Sequence, residues 1–468
     1  MNSPRELTFR SLTPFEIPVL MLFVGVFIAW ISLKSWIFPV ALLVGAAALG
    51  VALRSTFAIW LSLLLSMLFI NNYLNSPLSS LIFWGLIGIF IFSVWWHQYI
   101  AEKPLVVGNL FFWTSILGWY AWGILAAVFS PDKLLSIKEM FRYGIGLGVL
   151  FTFIQWCRDE VLLLKVLRIV WVCLIIYSVL MIGKILFAEH PLGLLLGGKW
   201  HTPAESASYC AAFLPIFVSL LRRMRGNDWI NWLGVLILFI AIVLSNSAAA
   251  LLAAGVGVLV ILGLKLPKIF RRIMILSSLV ITGVLILGSM YIKNFNEAFI
   301  DQLSGRERIW PAAIRAIVSH PLLGVGPGRW SQWFSSEYSS ADFIFDDKQG
   351  NIFYLDPSNL SGQAHNLFLT KAAEMGIPSF LLLLCVFGAW FLNALFVFRS
   401  LPNNWQRDLL RGCLASTIGL TFFCLFENGP IIGVSREGEI LFVMMILAIP
   451  LMMGAPLQRP WGAIDEGR

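Results

Sequence analysis

Apolar residues run in long blocks with little alternation. On the test that a helix needs about 20 mostly apolar residues to cross a bilayer, fourteen runs qualify. They cover roughly 15–33, 36–53, 55–70, 78–96, 109–130, 140–157, 166–187, 206–221, 230–245, 248–264, 273–292, 378–398, 408–427 and 437–455. Continuous runs argue against an outer-membrane barrel, whose strands alternate. The pattern predicts an all-α, polytopic transmembrane helix bundle of 12–14 spans. The first run is too long for a signal-peptide core and is expected to be retained. One stretch breaks the pattern: residues 293–364 are hydrophilic and far longer than any other connection. The chain therefore divides into an N-terminal transmembrane bundle, 1–292, of about eleven spans, a large loop, 293–364, and a C-terminal bundle, 365–468, of about three.

Composition agrees. Of 468 residues, 59% are hydrophobic and 12% charged, against about 45–50% and about 25% in soluble proteins. An ordinary soluble enzyme and a disordered chain are both excluded. The net charge of +8 reads as orientation and not as affinity for nucleic acid. With the N-terminus inside, more than half of the 33 lysines and arginines fall in inner segments, most densely in 222-RRMRGND-228 and 265-KLPKIFRR-272. Short loops of this kind obey the positive-inside rule best. Both termini are then cytoplasmic, the span count is even, and 293–364 lies on the outer face. The six cysteines show no CxxC spacing, so neither a disulfide nor a metal cluster is expected.

The long loop is rich in aromatic residues and is expected to be folded against the bundle. Trp330, Trp333, Phe334 and Tyr338 share one helical face and predict a short helix at the membrane interface. A second short helix is expected over 311–319, with Pro311 in its first turn and Ile314, Ile317 and Val318 on one face. Between them, 324-GVGPG-328 is a turn. The loop re-enters the membrane at 364-AHNLFLTKAAEMGIPSF-380, where Gly376 and Pro378 interrupt the helical pattern. A short helix, a break and then a full span are expected.

Candidate chemistry collects on the outer side. His190, His201, His320 and His365 fall there, and only His97 falls inside. Arg142, Lys138, Lys133, Lys199, Arg306, Arg308, Arg315 and Arg329 are outer cations. Arginines from separate segments around one pocket suit a diphosphate, whose oxygens they bind bidentately. His365, carried by a rigid element at the mouth, can act as a general base near neutral pH. Glu374, a carboxylate among apolar residues near the membrane, is a candidate functional group. No metal-ligand set stands out.

Two of these stretches resemble the O-antigen ligase and polymerase superfamily of bacterial membrane glycosyltransferases. One is 304-SGRERIWPAAIRAIVSHPLLGVGPGRW-330, similar to the family's S-G-R, W and H-P-L-x-G-x-G pattern. The other is 364-AHNLFLTKAAEMGIPSF-380, similar to its H-N-x-x-L and E-x-G-x-P pattern. The resemblance is good over about 240–400 and rests on hydropathy elsewhere. It implies transfer of a glycan from undecaprenyl diphosphate to a sugar hydroxyl, on lipid A–core for a ligase or on another lipid-linked glycan for a polymerase. It implies no metal and no cofactor. Arg306 would bind donor diphosphate, helped by Arg142, Arg308 and Lys199. His365 would act on the acceptor hydroxyl, with Glu374 a second catalytic candidate and Asn366, Arg329 and His201 supporting the pocket. The sequence departs from the pattern in one place: 245-SNSAAALL-252 has no arginine where members often carry one.

Plainer roles compete. Ser304 with Glu307 forms a capping-box pattern, which would make Arg306 and Arg308 helix-start charges. Arg142 and Lys138 could only anchor a span. Glu374 lies three residues from Lys371 and could simply pair with it. His365 could be a cap residue, and Asp342, Asp346 and Asp347 read as a solvated face. The expected partners are the lipid-linked donor, the glycan or lipid A–core acceptor, the bilayer and other glycan-assembly membrane proteins. The competing class is a polysaccharide transporter, which would place ionisable groups near the midplane of repeated halves. Here they cluster at the outer mouth.

Overall fold

The computed structural model describes residues 55–65, 77–101, 105, 107–186, 203–221, 228–245, 247–265, 306–337, 344–346, 352–354, 364–402, 404–426 and 439–453. The expected runs 15–33, 36–53 and 273–292, together with Lys199 and His201, lie outside these residues.

Where it is described, the chain is a helical bundle. In order come α1 Thr56–Leu65, α2 Pro77–Ile100, α3 Leu110–Val128, α4 Lys133–Trp156, α5 Glu160–Leu186, α6 Pro203–Leu220, α7 Asp228–Leu244 and α8 Ala248–Lys265. The long loop contributes α9 Arg306–Ser319, α10 Trp330–Glu337 and a ribbon of β1 Ile344–Asp346 and β2 Ile352–Tyr354. The bundle closes with α11 Leu367–Ser400, α12 Trp405–Phe426 and α13 Glu439–Met453. Five of these helices are long and apolar enough to cross a membrane: the Phe83–Ile100 part of α2, α3, α5, α11 and α12. The all-α polytopic architecture is therefore observed, with one small addition. The antiparallel ribbon pairs Phe345 with Phe353. Its sequence, FIF and IFY around a polar, glycine-containing turn, is a hairpin signal that the helical reading passed over, and it puts Asp346 in a strand.

Two groups of helices pack together. The helices α3, α4, α2 and α1 form one contiguous set, and α5, α6, α7, α8 and α12 form another, with α11 and α13 touching both. Small residues let α8 and α12 meet closely. A side chain at Gly419 would stand 2.3 Å from the carbonyl oxygen of Ala253. Close backbone approach is a common way for membrane helices to gain packing, since lipid supplies no hydrophobic drive between them.

The loop helices have a core of their own. Ile309, Ala312, Ala313 and Ala316 of α9, Trp330 and Phe334 of α10, Val325, Ala364 and Ala373 are all buried together. One expectation is corrected here, the place of Pro311. The buried face of α9 is the i, i+3, i+4, i+7 set led by Ile309 and three alanines, while Ile314 and Val318 are exposed. Small side chains let α9 lie close on α11, and the larger aliphatics turn outward. α9 begins at Arg306, so Pro311 lies inside the helix and not in its first turn. The aromatic face of α10 is likewise used for protein packing: Trp330 is 1% exposed and its ring lies 5.5 Å from that of Phe334. Truncating Trp330 to alanine is expected to destabilise the loop core by about 3–5 kcal/mol. Limited proteolysis should then cut within 306–337 far faster than in the parent protein while the bundle stays intact.

Candidate functional site

The two motifs found in the sequence interlock. The turn that follows α9 docks on the break in α11. Val325 N–H donates to the carbonyl of Ala373, Gly326 N–H to that of Glu374, and Ile377 N–H to that of Pro321, at 2.9, 2.9 and 2.8 Å. The break is at Gly376, with φ 80° and ψ 174°, a region open in practice to glycine alone. It frees backbone groups in the middle of a helix, and the turn supplies their partners. The indole of Trp122 closes the ring of contacts by donating to the Met375 carbonyl at 3.0 Å. Gly324 is needed for proximity as well as for its φ of +64°, since a Cβ there would lie 2.3 Å from the backbone carbon of Glu374. The same turn touches α4 and the segment before it. Gly326 faces Ser130, and Gly328 lies against Glu139.

His365 stands at the start of α11. Its φ of 47° makes it the sole non-glycine residue with positive φ among those described. The left-handed conformation turns the chain just before the helix and sets a half-buried imidazole at its mouth. Asn366 follows as the N-cap. Its Oδ1 accepts from Leu369 N–H at 3.0 Å, and its Nδ2 donates to the Leu425 carbonyl at the end of α12, also at 3.0 Å. Asn366 thus anchors the His365 turn on two sides. Asn366→Ala should cost about 1 kcal/mol through the lost cap, and Asn366→Asp should recover the cap but not the tie to α12. Thermal unfolding of the two variants checks this ordering.

Arg306 and Arg308 lie on the first turn of α9. That turn is brought beside His365 by Trp310, whose indole N–H donates to the carbonyl of Ala364 at 3.1 Å. The starts of α9 and α11 are therefore neighbours, although 59 residues separate Arg306 from His365 in sequence.

Arg142 comes from α4. Its guanidinium pairs with Glu139 at 3.3 Å and remains 34% exposed. Arg329 bonds the Val325 carbonyl and Gln332, at 3.2 Å each, so it braces the turn and the start of α10. Glu374 is deeply buried. Its carboxylate lies 2.7 Å from the Lys371 ammonium, as the plainer reading of the spacing has it. Lys371 also donates to the hydroxyl of Tyr143. His320 is exposed on the turn and bonds Ser319. At the α7–α8 joint, Ser247 accepts from Ala250 N–H and so caps α8. Among the described residues, no group of three or more His, Cys, Asp or Glu is placed to hold a metal.

Tyr143 is the residue of this group that the sequence does not single out. Lys371 was visible as a possible partner of Glu374, but Tyr143 comes from 228 residues away and carried no local signal.

Fold and site together define a polytopic helical membrane protein whose candidate site is built where a long loop docks on a broken helix. Residues 233–384, about a third of the chain, match the family model described as O-antigen ligase, which supports the resemblance to the O-antigen ligase and polymerase superfamily. Both motif stretches lie inside the match. No curated protein matches the chain.

Proposed function

We propose that the chain is an inverting, metal-independent glycosyltransferase. It moves a glycan from undecaprenyl diphosphate to a sugar hydroxyl at the periplasmic face of a bacterial inner membrane, as an O-antigen ligase acting on lipid A–core. The observation that carries this reading is the Trp310–Ala364 bond, which sets the helix start bearing Arg306 beside His365. Helix N-termini favour anions, so the starts of α9 and α11 add to the cations at this end of the bundle. Arg306, Arg308, Arg142 and Lys199 hold the donor diphosphate. The acceptor oxygen attacks C1 of the donor sugar while its proton passes to His365. The C1–O bond to phosphate breaks, and its electron pair leaves with the diphosphate. Preorganised cations stabilise the charge that develops there. The leaving group departs as an anion, so no acid is needed to protonate it, and a single displacement inverts the anomeric centre. Both termini lie in the cytoplasm in this orientation.

A polymerase with the same donor chemistry is kept open by one observation: Ser247 caps α8 in a stretch that lacks the arginine often carried there by members of the superfamily. The surface glycan of a deletion strain separates the two. Accumulated lipid-linked long chains with bare core indicate a ligase, and core carrying a single repeat unit indicates a polymerase. An unchanged glycan profile contradicts both.

A further inference from the structure

A buried line of charged groups joins the two sides of the candidate site. It starts at Arg142, which is part-exposed and pairs with Glu139. Glu139 lies within electrostatic reach of Tyr143, a fully buried residue one helical turn further on. The Tyr143 hydroxyl accepts from the Lys371 ammonium, which also sits 4.9 Å from the Tyr143 ring centroid. Lys371 pairs with Glu374, the two side chains being 8% and 6% exposed. The start of α10, at Trp330, lies within electrostatic reach of the Glu374 carboxylate. The signs alternate along the line and balance: two cations, two carboxylates and one phenol between them.

Burying such groups is unfavourable unless each is paired and hydrogen-bonded. Apolar side chains would hold these helices together at least as well. The arrangement makes one thing that apolar packing does not, a directional link from α4 to α11 that ends beside α10. It grips the short segment Leu367–Met375, and that segment carries His365 at its head and ends at the Gly376 break.

We propose that Tyr143, Lys371 and Glu374 are positioning residues of this site. Their hydrogen-bonded line fixes the His365-bearing segment of α11 relative to Arg142 on α4. Donor-side and acceptor-side groups are thereby held in one geometry. The kinetic part of this inference rests on the transferase reading above; the geometric part does not. None of the three need touch the reacting atoms.

The full-length protein in nanodiscs tests it with four variants: Tyr143→Phe, Lys371→Met, Glu374→Gln and the double Lys371→Met/Glu374→Gln. Either charge variant alone strands a buried partner and is expected to lower the melting temperature. The double variant leaves no lone charge and should return close to the parent melting temperature. Positioning predicts that this double variant, and Tyr143→Phe, still transfer about 100-fold more slowly in kcat, the scale expected for an ångström of misplacement, with donor KM little changed. It also predicts that carbethoxylation of His365 by diethyl pyrocarbonate, read by mass spectrometry, changes severalfold while exposed His320 reacts as before. A double variant with parent stability, parent kcat and parent His365 reactivity overturns the proposal and leaves the line a structural feature only. If the parent protein transfers nothing, the function proposed above has failed. His365 reactivity then decides the positioning claim by itself: a shift upholds it, and no shift overturns it.

Discussion

His365→Ala is expected to lower glycan transfer by about 10²–10⁴-fold, the usual contribution of a positioned general base, without unfolding the protein. The expectation rests on where the residue sits. Its neighbours Ala364 and Asn366 are both tied down, one by Trp310 and the other by the α11 cap and the Leu425 carbonyl. The scaffold therefore survives loss of the imidazole. The left-handed backbone at residue 365 is compatible with asparagine, which visits this region more readily than most residues. His365→Asn should thus be at least as stable as His365→Ala and equally inactive. Activity that persists in both, with intact protein, would remove His365 from the mechanism. Parallel loss of stability and activity would instead assign it a purely structural role.

Gly376→Ala is expected to have the largest effect on the fold. A Cβ at this position would lie 1.9 Å from the carbonyl oxygen of Leu322, far inside van der Waals contact. The backbone conformation there adds about 1–3 kcal/mol for a residue with a side chain. The obstacle is backbone and cannot rotate away, so the turn over 321–326 must lift from the helix break. That releases the three hydrogen bonds of the docked turn and exposes freed carbonyls of α11. The expected result is a destabilised protein with protease-sensitive 306–337 and no transfer. Gly388, in the same helix, has open space around its would-be Cβ, and Gly388→Ala is the matched control, expected to behave like the parent.

Much of this architecture was legible in the chain because membrane spans declare themselves by length and apolarity. The expected run 166–187 emerges as Glu160–Leu186, and 408–427 as Trp405–Phe426. The break at Gly376 was legible for the same local reason: glycine and proline together interrupt helical periodicity. The loop was harder. The sequence puts Ile314, Ile317 and Val318 on one face of α9 but does not tell which face is buried, and close packing on α11 uses Ile309 and alanines. Hydrophobicity alone does not tell a face that needs proximity from one that needs bulk. The aromatic helix α10 was found, but its periodicity is the same whether it faces lipid or protein.

The site was legible in part. His365 and Arg306 stood out by their motifs, and the structure brings their helix starts together through a tryptophan bond that no pattern announces. Glu374 stood out as a buried carboxylate, yet its surroundings come from four separate segments. Tyr143, the start of α10 and the docking turn are long-range partners, and one sequence carries no record of such meetings.

The central claim is that this end of the bundle transfers a glycan from a polyprenyl-diphosphate donor, with Arg306 and His365 acting together. The direct measurement is transfer by the purified protein in nanodiscs, using a defined undecaprenyl-diphosphate-linked glycan and lipid A–core acceptor without added metal. The account predicts glycosylated acceptor with an inverted linkage, and loss of product in Arg306→Ala and in His365→Ala at unchanged protein stability. Undiminished turnover in both variants would contradict it.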